Sequence, residues 1–496
     1  MGSMSDRVGA MSGHAGTYYL RSFGCQMNDH DAERIRAALE AQGLRMVERP
    51  DDADVLVYNT CTVRKSADER FAGHISAAAR LKRERPDRLV IVCGCLPQAE
   101  GEAFFARFPY VDVALGPQNL HHLAEELRKR LGRRDAGGEE AATVDGSREM
   151  MLGRTPRGVL GGEERAGFFA DGPHLSADLP ARRERPFQAW VQVMSGCTNF
   201  CSYCIVPYVR GPERSRTLTD IVADVSALVA DGVREVTLLG QNVNAYGADL
   251  DRVGDPGCDR EPGSDRGSSQ RPDFAQLLHA VDAVPGLLRT RFMTSHPKDL
   301  SEEMIAAIAE LPTVCEHVHL PAQAGSDRVL AAMNRGYTVG DYLGRVAALR
   351  AAIPDVSITT DLIAGFPGET EDDFAQTLDL VQAAGFDAGF TFVYSPRDRT
   401  AAAALPDQID DSVKRDRVQR LVALTQAQAR ERRQVLVGRA CEVLVEGTAR
   451  QPGRLRGRTR QGVTVNMNGQ ARPGTIVSVQ ITSATSTTLR GQVVDE

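Results

Sequence analysis

The sequence predicts an α/β protein in three parts: an N-terminal open, mostly parallel α/β domain, a central partial (β/α)6 barrel and a small C-terminal all-β barrel. Three observations carry this. Apolar runs of strand length alternate with helical patterns from Thr17 to about Leu115. A second alternation, with six strand runs, starts at Gln188. Beyond residue 433, short β stretches alternate with Gly turns. The 496 residues fit two to four domains at roughly 100–200 residues each.

Composition excludes several classes. Hydrophobic residues are 42% and charged residues 25%, which rules out a wholly disordered chain and a collagen-like fibre. No run approaches the ~18 apolar residues of a membrane span. The opening MGSMSDRVGAMSGHAG lacks the apolar core of a signal peptide. A cytoplasmic protein with no membrane partner is expected. Net charge is −7, from 59 basic and 66 acidic residues. Residues 434–496 hold 8 Arg, no Lys and 4 acidic residues, so the tail is +4 and the remainder −11. A basic module on an acidic body points to a localised anionic partner.

Residues 1–16 read as a flexible end. The first domain spans 17–131. Its strands are TYYLRSFGC from Thr17, Asp54–Tyr58, Leu89–Cys93 and Tyr110–Leu115, with helices near 28–42 and 66–83. In such sheets ligands sit beyond the carboxyl ends of strands. Cys25, Cys61 and Cys95 each fall at such an end, so three distant cysteines can converge. Buried small hydrophobes are the alternative reading of all three. Cys93 ends an apolar run and reads as sheet core.

Residues 132–185, rich in Gly, Arg, Glu, Asp and Pro, read as a linker, with a strand or two near 149–160. The barrel, 186–433, has strands at Ala189–Met194, Glu235–Leu239, Leu288–Thr294, His317–Leu320, Ser357–Ile363 and Phe390–Tyr394. Residues 247–272 read as a flexible insertion carrying Cys258. A charged helix near 412–433 closes the barrel domain. His317 and His319 alternate on one strand, with at most one expected to face the lumen. Cys315 and Cys441 read as structural.

The sharpest motif is Cys197-Thr-Asn-Phe-Cys201-Ser-Tyr-Cys204, a C-x3-C-x2-C at the carboxyl end of the first barrel strand. Chance gives such a spacing about 0.004 times among these cysteines. Soft thiolates suit iron–sulfur clusters or zinc. Three of them leave one corner of a four-iron cube open, whereas structural zinc wants four ligands. Iron–sulfur is the favoured reading, with zinc and unligated thiols as alternatives.

With its flanks, the triplet resembles the radical S-adenosylmethionine (SAM) enzymes, and specifically the methylthiotransferases. The likeness runs through CSYCIVPYVRGPERSR (201–216), LLGQNVNAYG (238–247), FMTSHP (292–297), HLPAQAGSDRVLAAMNRGYT (319–338) and TDLIAGFPGETEDDF (360–374). It extends to GCQMNDHDAE (24–33), NTCTVRKSADER (59–70), GCLPQ (94–98) and the tail, which looks like a TRAM domain. The GCQMN opening and YVRGPERSR are closest to the tRNA-modifying members.

The resemblance implies a radical SAM barrel with two [4Fe–4S] clusters and SAM as cofactors. One cluster would be held by Cys197, Cys201 and Cys204, its fourth iron taking the amino and carboxylate groups of SAM. The other would be held by Cys25, Cys61 and Cys95. The implied reaction converts N6-isopentenyladenosine, 3′ of the tRNA anticodon, to its 2-methylthio derivative through a 5′-deoxyadenosyl radical. No catalytic residue beyond the cluster ligands is then required. Methylthiolation of threonylcarbamoyladenosine or of a ribosomal-protein aspartate is the sister reading. A non-catalytic iron–sulfur RNA-binding protein is the reading from another class. By the same resemblance, Gln241 and Asn242 would meet the SAM amine, Gln323 and Ser326 its ribose, and Arg335 its carboxylate. The implied partners are tRNA carrying isopentenyladenosine and an electron donor, acting on a monomer.

Two further features matter below. Arg454, Arg456, Arg458 and Arg460 alternate along a strand pattern and would form one basic stripe for RNA phosphate. The segment YSPRDRTAAAA (394–404) departs from the family's YSPRPGTPAA, losing a Pro-Gly turn.

Overall fold

The structure, a computed structural model, describes residues 16–62, 65–135, 148–152, 179–250 and 272–494. Nearly all of the expected loose end, most of the linker, and the core of the insertion with Cys258 lie outside the described residues. What is described divides into two compact units, residues 16–152 with 179–182, and residues 183–494.

The first unit is built on β1 (Thr17–Ser22), β2 (Arg45–Met46), β3 (Val55–Thr60), β4 (Leu89–Gly94), β5 (Val113–Leu115) and β6 (Glu149–Met151). They form one sheet in the order β2-β1-β3-β4-β5-β6, every pair parallel. All six positions of β3 and of β4 are buried, as expected for a parallel sheet covered on both faces. Alternation divides the core in two. Val90 and Val92 pack with Phe71 and Phe104 on one face. Leu89, Ile91 and Cys93 pack with Ile35 and Leu127 on the other. Cys93 is thus a core side chain, and burial pushes its thiol pKa up.

The second unit opens with β7 (Gln188–Gln192), β8 (Met194–Ser195) and β9 (Arg214–Ser215). Then come β10 (Glu235–Leu239), β11 (Arg289–Phe292), β12 (His317–His319), β13 (Ser357–Ala364) and β14 (Ala388–Val393). β7, β10 and β11 pair in parallel, as do β12, β13 and β14. A parallel bridge between Thr290 and Val314 joins the two triplets. Six strands with outer helices make the expected partial barrel. The helix Asp411–Gln434 packs against β14, where Gly389 leaves room for Thr425: a Cβ on it would lie 2.8 Å from Thr425 Cγ2.

His317 Nε2 and His319 Nδ1 both reach the Thr359 hydroxyl, at 3.1 and 3.0 Å. The expectation that at most one of them faces the lumen is therefore corrected. Residues two apart in a strand share a face.

The tail forms a closed barrel of β15 (Ala440–Thr448), β16 (Leu455–Thr459), β17 (Thr464–Asn468), β18 (Ile476–Ala484) and β19 (Thr488–Val493). Its strand order is β15-β16-β17-β19-β18, around Val443, Val465, Met467, Val479 and Leu489. The turn after β16 docks on the amino-terminal ends of the large barrel's strands. Arg291 donates to the carbonyls of Thr459 and Arg460, each at 2.8 Å, and Arg289 to that of Arg458 at 2.9 Å. Arg460 in turn donates to Glu316 (2.8 Å) and to the Val314 carbonyl (2.7 Å).

This docking corrects the reading of the basic stripe. Arg460 anchors the small barrel to the large one. Arg458 pairs with the buried Glu446 at 3.0 Å, and Arg456 lies 3.5 Å from the same carboxylate. Surface alternation is visible in sequence, but the carboxylates that meet it are not.

Candidate metal and cofactor centre

Two cysteine groups sit at carboxyl ends of parallel strands. In the first unit the strand register brings them level. Ser22 pairs with Asn59, Asn59 with Cys93, and Thr60 with Gly94. Cys61 and Cys95 each follow one residue after the paired Thr60 and Gly94, and Cys25 follows three after Ser22. Polar side chains lace the three loops together. Asn28 donates to the Thr60 carbonyl at 2.9 Å, Asn59 to the Asn28 carbonyl at 2.8 Å, and Thr60 to the Cys93 carbonyl at 2.7 Å. Gly94 makes the approach possible. Its φ is 101°, and a Cβ there would sit 2.3 Å from the Thr60 carbonyl oxygen. Cys25 caps the 15-residue helix Gln26–Glu40, whose amino-terminal dipole favours a thiolate or an anionic cluster.

In the second unit, β8 and β9 pair antiparallel, Ser195 with Arg214, and close the base of the loop carrying the triplet. Gly196 sits at φ 80°, where a Cβ would lie 1.8 Å from the Pro212 carbonyl oxygen. Cys197 N–H donates to the Gly211 carbonyl at 3.1 Å, and Thr198 is held by Glu213 through its hydroxyl at 2.8 Å. The far side of the loop is stapled to residues 332–335. Ser202 donates from its N–H to the Met333 carbonyl (3.0 Å) and from its hydroxyl to that of Ala332 (2.8 Å). Asn334 donates to the carbonyls of Asn199 and Phe200 at 3.1 and 3.0 Å. No sequence signal marks Asn334 or Glu213 as loop supports, because both contacts are tertiary.

Burial raises the pKa of the Cys197 thiol well above its ordinary value and that of Cys204 up to about 12. Without a cationic ligand these thiols stay protonated, and iron binding releases their protons. Among the described residues no three His, Cys, Asp or Glu side chains form a single-ion site.

The residues expected around SAM fall at the same end of the barrel, with different engagements. Gln241 accepts the Gly196 N–H with its side-chain oxygen, so it supports the cysteine loop. Asn242 donates to Asp299 at 2.8 Å. Gln323 holds φ 68° and bridges to Leu362 through its backbone. Ser326 gives its hydroxyl to Asp373 at 2.6 Å. Arg335 lies beyond the helix Asp327–Ala332 and turns back to Cys201, its Nη1 3.3 Å from Sγ.

Buried polar atoms without a hydrogen-bond partner gather here too. Gln241 Nε2, Asn242 Oδ1, Ser295 Oγ, His296 Nε2 and Tyr394 Oη all lie just past barrel strands β10, β11 and β14. Orphaned polar groups are rare in folded interiors and mark places where a ligand supplies the missing partner. Burial and the nearby Arg335 guanidinium lower the His296 pKa to about 2 and keep its ring neutral. A polar cofactor fits this end of the barrel, and three soft thiolates on a braced loop fit an iron–sulfur cube beside it.

A six-unit partial barrel with a C-x3-C-x2-C loop at its mouth defines a radical SAM protein. The sequence matches the Radical SAM superfamily over residues 191–381, the uncharacterized protein family UPF0004 over 17–116 and the TRAM domain over 434–494. It is 40% identical over 482 residues to a tRNA-2-methylthio-N(6)-dimethylallyladenosine synthase of Thermoanaerobacter pseudethanolicus, covering 96% of this chain and 93% of the relative. A protein of that name from Moorella thermoacetica is 43% identical, with 97% and 98% covered. The fold also resembles the radical SAM methyltransferase TsrM of Kitasatospora setae, with TM-score 0.50, 14% identity and coverage of 78% and 77%. The chain belongs to the tRNA-2-methylthio-N(6)-dimethylallyladenosine synthase family.

Proposed function

We propose that the protein converts N6-isopentenyladenosine, 3′ of the anticodon in tRNA, to 2-methylthio-N6-isopentenyladenosine. The observation that carries this is the 40–43% identity to synthases of that one name across 96–97% of the chain, through all three of its parts together.

Cys197, Cys201 and Cys204 hold one [4Fe–4S] cluster, and Cys25, Cys61 and Cys95 hold the other. When bound, the clusters and SAM supply one-electron chemistry and a sulfur source able to functionalise an unactivated C–H bond. The chain's own residues bind and orient. Asn334, Glu213 and Gln241 fix the triplet loop. Asn242 and His296 offer unpaired polar atoms to the SAM end of the barrel, and Gln323 stands at the close of the fourth strand. The small barrel contributes positive charge for the tRNA backbone, which gives affinity without sequence information. An unpaired adenosine of an anticodon loop can be splayed into the barrel mouth. The protein works as a cytoplasmic monomer with an external one-electron donor. Among the described residues no helix is long and apolar enough to cross a membrane.

The test is mass spectrometry of nucleosides from tRNA of a deletion strain. Isopentenyladenosine lacking the methylthio group should accumulate. Unchanged isopentenyladenosine with altered threonylcarbamoyladenosine, or with an altered ribosomal protein, would transfer the assignment to the sister activity.

A further inference from the structure

Arg335 is 4% exposed, yet no carboxylate among the described residues pairs with it. Four hydrogen bonds leave its guanidinium. They run to the Tyr337 hydroxyl (3.1 Å), the Tyr203 hydroxyl (3.4 Å), the Pro321 carbonyl (3.0 Å) and Cys201 Sγ (3.3 Å). None of the four partners is a carboxylate. A buried cation surrounded only by neutral acceptors is costly, and folds avoid it unless an anion arrives. Of the four partners, Cys201 alone belongs to the triplet assigned to an anionic iron–sulfur cluster.

The geometry around Arg335 is fixed. Asn334 is tied to Asn199 and Phe200, and Ser202 to Ala332 and Met333, so the guanidinium and the triplet loop are locked together from both sides. Tyr337 holds the guanidinium from beneath and is itself anchored to the Ala322 carbonyl at 2.9 Å. Arginine has five N–H donors, and four are already spent within the protein. What remains cannot form the two-pronged clamp that a carboxylate prefers.

We propose that Arg335 is the counter-charge of the iron–sulfur cluster on Cys197, Cys201 and Cys204, a positioning residue that sets its potential, rather than the clamp for the SAM carboxylate. The proposal rests on the assignment of that cluster to the triplet. Three thiolates outweigh the charge of an oxidised four-iron core, so the site is anionic. Taking up one electron from an external donor adds one more negative charge beside the guanidinium. Net charge and hydrogen bonds to sulfur are the protein's levers on such potentials. A buried cation 3.3 Å from a ligating sulfur favours the reduced form.

The test is a redox titration of the full-length, anaerobically reconstituted protein. It is followed by electron paramagnetic resonance of the signal that changes on adding SAM. Arg335→Gln should disfavour one-electron reduction at least tenfold, a midpoint lower by about 59 mV. Arg335→Lys should retain most of the wild-type value, and SAM affinity should change less than threefold in either variant. An unchanged midpoint in Arg335→Gln, with SAM binding weakened tenfold or more, would make Arg335 the carboxylate clamp and overturn the proposal. Should the glutamine variant not retain the cluster, Tyr203→Phe decides. It removes a phenol oxygen whose partial negative charge faces the guanidinium and partly offsets it, and leaves the N–H to the sulfur, so the midpoint should rise, and an unchanged or lower midpoint rejects the proposal. A wild-type protein with no SAM-responsive signal would instead remove the cluster assignment, and this inference with it.

Discussion

The side-chain amide of Asn334 donates to the carbonyl oxygen of Phe200 at 3.0 Å, across 134 positions of sequence. Both residues hold positive φ, 57° and 45°. Asn tolerates that conformation and Phe does not, so the staple holds a strained residue between Cys197 and Cys201, two of the proposed cluster ligands. Asn334→Ala should cost about 2–3 kcal/mol, from two lost hydrogen bonds and a disfavoured φ. Asn334→Gly keeps the φ and should cost about half as much. Thermal unfolding measures both, and iron should leave both variants faster on adding a chelator.

Gly94 and Gly196 allow the two proposed clusters to be told apart, each glycine lying next to one cysteine group only. A methyl at Gly94 meets the Thr60 carbonyl at 2.3 Å, and one at Gly196 meets that of Pro212 at 1.8 Å. Backbone oxygens cannot step aside as a flexible side chain would. Each Gly→Ala variant should lose about half of the bound iron, consistent with one of two cubes. Only Gly196→Ala should abolish the SAM-responsive signal.

Arg399 holds φ 70° at the position where the family's pattern places Gly. A non-glycine residue there stores roughly 1 kcal/mol or more. Arg399→Gly should therefore be more stable than Arg399→Ala by about 1 kcal/mol in urea unfolding. The alanine reference cancels whatever the arginine side chain contributes.

Arg460 and Glu316 join the small barrel to the large one at 2.8 Å. A double-mutant cycle on Arg460→Ala and Glu316→Ala should show a coupling of about 1–3 kcal/mol. Limited proteolysis should release the segment after the helix Asp411–Gln434 faster in Arg460→Ala. Glu316→Gln, which keeps an acceptor, should be milder.

The sequence was most legible where chemistry demands fixed spacing or where burial demands apolar runs. The triplet was visible from Cys197, Cys201 and Cys204 alone, and the six barrel strands from their apolar stretches. Cys93 was separable from Cys95 because it closes the run Leu89–Val92. Short elements were not legible: β2 has two residues, too few for any periodicity. The resemblance assigns Arg335 to the SAM carboxylate, and its contact with Cys201 Sγ at 3.3 Å emerges only in the folded chain. The stripe from Arg454 to Arg460 read as an RNA surface because its three engaged members meet carboxylates only through tertiary pairing, Glu446 on the neighbouring strand β15 and Glu316 144 positions away in the large barrel.

The central claim is that six cysteines carry two four-iron clusters, and Mössbauer spectroscopy with iron and sulfide analysis of oxygen-free, reconstituted protein tests it most directly. About eight iron atoms per chain, all in [4Fe–4S] signatures, are expected for the wild type. About four should remain in Cys61→Ala, with loss of methylthio product while SAM cleavage persists. A wild type holding a single cube, or a Cys61→Ala variant with undiminished iron and product, would contradict the account.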